Sequence, residues 1–140
     1  MPDSSSGRFI DTNVLLHLAG QDEAKAARAE AVVAAGGTVS VQVLNEIAHM
    51  ARRKMGFSWA ETREFLATLC LLLEVVPLTA ETHDLGLALA ERYGFSVYDA
   101  MIVAASVHAG CGMLLSEDMQ DGMVIAEGVR IVDPFRGAWR

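Results

Sequence analysis

The chain has 140 residues, with 11 Lys and Arg against 18 Asp and Glu, and a formal net charge of −7. This length fits one compact domain, and a hydrophobic fraction of 52% is too high for a disordered protein. The longest apolar run, Phe65–Leu73, is far shorter than the ~20 residues that cross a bilayer, and no secretory signal pattern opens the chain, so we expect a cytoplasmic globular protein without a membrane anchor.

Strand and helix signals alternate along the chain after a polar, Ser-rich start, residues 1–7, which we expect to be disordered. In chain order, the pattern predicts a strand at 8–10, helices at 14–19 and 21–35, a strand at 38–41, helices at 43–54 and 59–73, a strand at 74–78, helices at 80–93 and 97–110, and strands at 112–116 and 129–132. Ser58 with Glu61, and Ser96 with Asp99, have the spacing of a capping box at a helix start.

This alternation predicts the fold class. No hairpin dipeptides separate neighbouring strands, so the connections are crossovers and the sheet is mostly parallel. The strands at Val75-Val76 and Met113–Leu115 are apolar on both faces, as a sheet covered by helices on both sides requires. We therefore predict an α/β protein, a three-layer α/β/α sandwich formed by one domain over residues 1–140.

Composition also limits the chemistry. The two cysteines, Cys70 and Cys111, are too few for a disulfide scaffold or a zinc site, and we interpret both as small buried hydrophobic residues. An acidic chain lacks the bulk positive charge on which nucleic-acid binding normally depends. Binding to nucleic acid would need a local cationic patch, or metal ions that neutralise carboxylates.

Four acidic residues are predicted to lie at the carboxyl ends of the parallel strands, where sites form in such sheets. Asp11 ends the first strand, Glu46 and Asp99 lie early in helices, and Asp118 follows the fourth strand. Each residue taken alone has an ordinary explanation: Asp11 and Asp118 as turn residues, Glu46 as a solvent-facing helix residue and Asp99 as a capping acid.

The combination favours a cation site. Apolar sequence flanks Asp11, Asp99 and Asp118, and partial burial would make these like charges repel one another. Oxygen-only ligands, with no His or Cys cluster, favour Mg²⁺ or Mn²⁺. Such an ion can polarise a phosphodiester oxygen and activate a bound water, which would let a chain of charge −7 act on an anionic substrate.

Four motifs, in order, carry a resemblance to a known family. They are Phe9–Val14 (FIDTNV), Ser40–Glu46 (SVQVLNE), Tyr98–Ala105 (YDAMIVAA) and Leu115–Gly122 (LSEDMQDG). Together they resemble a PIN domain, and most closely the VapC-like toxins of bacterial toxin–antitoxin pairs. The resemblance covers about residues 8–135, and it implies an α/β/α sandwich with metal-dependent endoribonuclease activity.

The resemblance also implies site residues and partners. The family's acidic quartet falls on Asp11, Glu46, Asp99 and Asp118, with Asp121 as an accessory acid. The family further implies an RNA substrate, a homodimer, and inhibition by a small antitoxin protein that binds DNA.

Physical roles can be assigned as hypotheses. We expect Asp11 and Asp99, the acids with the most apolar surroundings, to ligate the metal directly. Asp118 and Glu46 would then hold metal waters, orient the attacking water, or complete a second metal site. We expect Asn13 and Ser116, which lie close to the acids in sequence, to orient the carboxylates by hydrogen bonds.

Two further side chains on the helix that carries Glu46 are candidates. Arg53 falls near the face of Glu46 and Met50, so it is a candidate contact for RNA phosphates or for an antitoxin; the alternative is a cation placed favourably at a helix end. His49, three residues after Glu46, is a weaker candidate neighbour of the site.

Alternatives of other classes stay open. A catalytically quiet interaction module could share this fold, although all four acids are present. A phosphotransfer receiver would need a late Lys, and none follows Lys54. A phosphatase of the haloacid dehalogenase type would need Asp-x-Asp, and Asn13 replaces the second Asp.

Overall fold

A computed structural model describes residues 7–140. Within this range the chain forms a five-stranded, fully parallel sheet in the order β3-β2-β1-β4-β5. The strands are β1 (Arg8–Ile10), β2 (Thr38–Ser40), β3 (Glu74–Val76), β4 (Met113–Leu115) and β5 (Arg130–Val132). The prediction of disorder covered residues 1–7, of which residues 1–6 lie outside the described residues. For Gly7 the prediction was wrong, because Gly7 is buried and its carbonyl accepts the Met113 N–H at 2.9 Å.

Six helices connect these strands in the described part of the chain. They are α1 (Thr12–Leu16), continued by a 3-10 turn at His17–Ala19, α2 (Glu23–Ala34), α3 (Val41–Arg53), α4 (Trp59–Leu72), α5 (Ala80–Tyr93) and α6 (Val97–His108). Both faces of the central strands are covered, because the consecutive residues Phe9 and Ile10, and Leu114 and Leu115, are fully buried. The predicted α/β class with a parallel sheet between helical layers is confirmed.

Two helices begin earlier in the chain than predicted, because a polar side chain caps each helix before the predicted first residue. The Asp11 carboxylate accepts the Thr12 N–H, so α1 begins at Thr12. The Ser40 hydroxyl accepts the Val43 N–H, so α3 begins at Val41, and the prediction of Val41 as a strand residue was wrong. The capping box at Ser58 and Glu61 is confirmed, with both of its hydrogen bonds formed.

Two burial predictions were also wrong. Strand β3 is not enclosed on both faces: Glu74 is exposed, and Val75 and Val76 are half-buried, because β3 lies at the sheet edge. Cys70 is exposed on α4, whereas Cys111 is buried as predicted. Among residues 7–140, no helix is both long and apolar enough to cross a membrane.

The carboxyl ends of three neighbouring strands are joined by backbone hydrogen bonds. The Asp11 N–H donates to the Leu115 carbonyl at 2.9 Å, and the Ser116 N–H donates to the Val132 carbonyl at 3.0 Å. These bonds extend the pairing of β1, β4 and β5 by one residue, and they fix the residues that leave the sheet at this edge.

Candidate active site

Asp11 is the buried centre of the site. It directly follows β1, has extended backbone angles and caps α1, its Oδ1 accepting the Thr12 N–H at 2.7 Å. Its Oδ2 accepts the Ser116 hydroxyl at 2.8 Å and the Asn13 side-chain amide at 3.2 Å. With 4% of its surface exposed, the carboxylate is held in one orientation by three donors.

Asn13 connects Asp11 to the loop after β4. Its amide also lies 3.4 Å from the Ser116 hydroxyl, and its Oδ1 accepts the Glu117 N–H at 3.0 Å. The structure thus places Asn13 and Ser116, the two predicted orienting residues, in direct contact with the Asp11 carboxylate.

Glu46 reaches the same region from the second turn of α3. Its Oε1 accepts the Thr12 hydroxyl at 2.6 Å, and its Oε2 accepts the Gln42 amide at 2.7 Å. Thr12 therefore bonds the acid on α3 through its side chain and the acid at the end of β1 through its backbone.

Asp99 and Asp118 complete the group. Asp99 lies half-buried in the first turn of α6, where the Ser96 hydroxyl accepts its N–H at 3.1 Å, and Asp118 is exposed in the loop after β4. All four carboxylates line one cavity of about 270 Å³. The other residues around this carboxylate cavity are Thr12, Asn13, Leu16, His49 and Met50.

The proximity of the acids changes their ionisation. Burial raises the pKa of Asp11 from 3.8 to about 7; hydrogen bonds from Ser116 and Thr12 oppose this, and the charges of Glu46 and Asp99 add to it. The pKa of Asp99 is raised by burial and then by Asp118 and Glu46, against a hydrogen bond with Ser96. The free site is thus an anionic cavity whose charges repel one another.

The donors fit a hard divalent cation in kind. They are carboxylate oxygens with hydroxyl and amide groups behind them, which suits Mg²⁺ or Mn²⁺. Within residues 7–140, no three His, Cys, Asp or Glu side chains lie close enough together to hold one ion. The carboxylates of Asp11 and Glu46 are held instead by hydrogen bonds to both of their oxygens.

Two candidate residues lie outside the carboxylate cavity. The Asp121 carboxylate accepts the Asp133 N–H at 2.8 Å, and Asp121 lines a different cavity. Arg53 is exposed at the end of α3 and does not line the carboxylate cavity, whereas Met50 and His49 on the same helix do.

Sequence reasoning missed three residues. Thr12 and Gln42 hold Glu46, and the only local signal was the four-residue spacing from Gln42 to Glu46, which places the two on one helix face. Glu117 anchors the loop that carries Asp118, through His17 Nε2 at 2.7 Å and through Lys25. Burial opposes ionisation of Glu117, but the bonds from Lys25 and His17 hold its pKa below the ordinary value.

A larger cavity adjoins the site. It measures about 600 Å³, shares Glu46 and His49 with the carboxylate cavity, and is otherwise lined by Gln42, Asn45 and Tyr98. Tyr98 is 68% exposed. An aromatic ring and side-chain amides therefore lie beside the carboxylates.

Comparison with known proteins identifies the class. The family model described as PIN domain matches residues 8–120, so the chain belongs to the PIN domain family, and the resemblance predicted from the four motifs is confirmed. A search of curated proteins finds no match.

Solved structures share the fold at low sequence identity. A toxin–antitoxin complex from Klebsiella pneumoniae is similar with a TM-score of 0.69 at 18% identity, covering 91% of this chain and 97% of that one. The sarcin-ricin loop cleaving toxin VapC20 of Mycobacterium tuberculosis has a TM-score of 0.66 at 21% identity, covering 79% and 89%. VapBC2 from Rickettsia felis, bound to a promoter DNA fragment, has a TM-score of 0.64 at 15% identity, covering 89% and 96%.

Proposed function

We propose that this protein is a Mg²⁺- or Mn²⁺-dependent endoribonuclease that cleaves RNA phosphodiester bonds and acts as the toxin of a toxin–antitoxin pair. The observation that carries the proposal is the single cavity lined by Asp11, Glu46, Asp99 and Asp118, in which burial raises the pKa of Asp11 to about 7. Membership of the PIN domain family supports it. The similar Mycobacterium protein is a sarcin-ricin loop cleaving toxin, which supports the choice of substrate.

The residues divide into two groups in this proposal. Asp11 and Asp99 would hold the ion directly, and Asp118 and Glu46 would hold its waters and orient the attacking one. A bound Mg²⁺ or Mn²⁺ supplies Lewis-acid polarisation of a phosphodiester oxygen and a water of lowered pKa. Binding of the ion also offsets the repulsion among the four carboxylates. It likewise offsets the repulsion between these carboxylates and an RNA phosphate.

Neighbouring residues keep these acids in place. Ser116 and Asn13 fix the Asp11 carboxylate, and Thr12 and Gln42 fix that of Glu46. Such supporting hydrogen bonds set the direction of the carboxylate lone pairs, so their loss typically lowers metal affinity or activity about 10–100-fold.

We propose partners of three kinds: an RNA substrate, a second copy of the chain, and a small antitoxin protein. The similar structures from Klebsiella and Rickettsia are toxin–antitoxin complexes, which supports the antitoxin. Co-expression with the neighbouring reading frame, followed by co-purification, tests for the antitoxin.

The activity is tested with purified protein, structured RNA, and Mg²⁺, Mn²⁺ or EDTA. We expect cleavage with metal only, and a loss of at least about 100-fold in Asp11→Asn and in Asp99→Asn. Asp84→Asn, an exposed acid on α5, is the matched control and should retain activity.

Three results would contradict the proposal. Cleavage that persists in EDTA would exclude the metal dependence, and full activity in both variants would exclude the assigned acids. Absence of cleavage with either metal would favour a catalytically quiet interaction module of the same fold.

A further inference from the structure

Three arginines gather at a second cavity, one that the proposed chemistry does not use. Arg130, Arg136 and Arg140 line a cavity of about 320 Å³ at the outer strand β5 and the end of the chain. Within residues 7–140, the guanidinium groups of Arg130 and Arg136 form no ion pair or hydrogen bond, and that of Arg140 lies 4.8 Å from the Trp139 ring centroid. We call this the arginine cavity.

The acids in the arginine cavity are engaged with the backbone. The Asp121 Oδ1 accepts the Asp133 N–H at 2.8 Å, and the Asp133 Oδ1 accepts the Phe135 N–H at 2.9 Å. These carboxylates shape the turn after β5 and form no salt bridge with the arginines. The lining side chains, three arginines and two aspartates, therefore carry a formal charge of +1, and no direct ion pair joins them.

The segment that carries Arg136 and Arg140 is anchored. The Arg28 guanidinium, from α2, donates to the carbonyls of Pro134 at 2.6 Å and Gly137 at 3.2 Å. Trp139 is buried, with the Arg8 guanidinium 5.6 Å from its ring centroid. Fixed backbone positions reduce the entropy that these arginines lose when they bind a ligand.

One loop links the arginine cavity to the carboxylate cavity. Asp118 lines the carboxylate cavity, and Asp121 and Gly122 line the arginine cavity. Three or four residues of chain span at most about 10–14 Å. A polymer that passes through the carboxylate cavity can therefore reach the arginines within a few of its own units.

The charge distribution favours a polyanion as that polymer. The chain has a net charge of −7, yet five arginines, out of 11 Lys and Arg residues, lie on or against the C-terminal segment, residues 130–140. They are Arg8, Arg28, Arg130, Arg136 and Arg140. The guanidinium fork matches the geometry of phosphate oxygens and binds them in a bidentate manner.

We propose that the arginine cavity binds the phosphodiester backbone of single-stranded RNA next to the bond that is cleaved, with Arg130 and Arg136 as the phosphate contacts. This inference rests on the proposed ribonuclease function and adds to it the path of the substrate. It also supplies the local cationic patch that an acidic nucleic-acid-binding protein needs.

The test measures binding of a fluorescent single-stranded RNA oligonucleotide in EDTA, at several salt concentrations between about 50 and 200 mM. The double variant Arg130→Glu/Arg136→Glu should bind at least about 10-fold more weakly than wild type at low salt. It should also lower the slope of log Kd against log salt by about 1.4, because each lost contact to a single strand contributes about 0.7. In cleavage assays KM should rise while kcat is retained.

The matched control is Arg63→Glu/Arg92→Glu, which changes the net charge equally at exposed positions on α4 and α5. It should keep the wild-type salt slope. Equal slopes in both double variants, or no wild-type binding at low salt, would overturn the proposal. Tighter binding of inorganic phosphate than of the oligonucleotide, measured by competition, would also overturn the proposal, because the cavity would then bind a free anion.

Binding in EDTA is independent of catalysis, so the two proposals fail separately. A wild type that binds RNA through these arginines but never cleaves it contradicts the nuclease function. A wild type that cleaves RNA with an unchanged KM in the arginine variant contradicts the substrate path. Thermal melts of each variant check that the fold is retained.

Discussion

Asp11 shows how one residue is used for folding and for a site at the same time. Its carboxylate caps α1 and accepts three hydrogen bonds, each of which favours the charged form. Burial outweighs these bonds, and Glu46 and Asp99 add repulsion, so the pKa is raised to about 7. In the metal-free protein, ionisation of this carboxyl therefore costs folding free energy.

Stability without metal should consequently depend on pH through Asp11. The folded protein holds this proton between about pH 4 and 7, where the unfolded chain has lost it. The raised pKa of Asp11 therefore contributes at most about 4 kcal/mol to the free energy of unfolding. This contribution is fully present below pH 4 and is lost as the pH rises towards 7. Urea unfolding in EDTA at a series of pH values measures this loss.

Asp11→Asn is the control for the pH dependence. The variant should lose less stability than wild type between pH 5 and about 8, since Asn does not titrate. The loss of stability with pH that remains in the variant comes from other groups, including Asp99, whose pKa is also raised. Parallel pH profiles for wild type and Asp11→Asn would contradict the role of Asp11.

At the residue scale, the sequence indicates the acidic residues of the candidate site better than the side chains that hydrogen-bond to them. Asp11 and Asp118 follow strands, and Asp99 and Glu46 lie in the first and second turns of helices, and local patterns show those places. The Thr12 hydroxyl on Glu46 joins residues 34 positions apart, and this contact depends on how α1 packs against α3. No local pattern carries that information.

At the element scale, the site is built from strand ends and helix starts. Asp11 follows β1, Ser40 is the last residue of β2, and each caps the helix that comes next; Asp99 lies in the first turn of α6. Helix starts favour negative charge, which partly offsets the repulsion among the acids. The alternating pattern predicts these elements, but not that β3 lies at the edge, because strand order depends on contacts distant in sequence.

The start of β2 allows little space beside β1. A Cβ on Gly37 would lie 2.9 Å from Ile10 Cδ1 and 3.0 Å from the Arg8 carbonyl oxygen, which belongs to the backbone of β1 and cannot move freely. We expect Gly37→Ala to lower the free energy of unfolding by about 1–3 kcal/mol, measured by urea denaturation.

Gly112→Ala is the matched control for this close approach. Gly112 precedes β4 as Gly37 precedes β2, but nothing lies within 4 Å of its Cβ position. The control should leave stability unchanged or raise it by less than about 1 kcal/mol. Equal effects of the two substitutions would show that the strand spacing is not tight at Gly37.

At the scale of the whole molecule, acidic and basic side chains line separate cavities. Four carboxylates line one cavity, three arginines line another, and the loop from Ser116 to Gly122 contributes to both. The sequence gives the sum of these charges but not their separation, because Arg8 and Arg28 reach the C-terminal segment only in the folded chain. An acidic protein can in this way present a local positive surface.

Metal binding should stabilise the whole fold by relieving the repulsion among the acids. At about 100 times its Kd, an ion adds about 2.7 kcal/mol, which corresponds to roughly 5–10 °C in Tm for a chain of this size. Asp99→Asn should match or exceed the wild-type Tm in EDTA, because one repelling charge is removed, and it should lose most of the shift with Mg²⁺ or Mn²⁺. Asp84→Asn should keep that shift. Thermal melts with and without metal decide the matter, and an equal shift in wild type and Asp99→Asn would exclude Asp99 as a ligand.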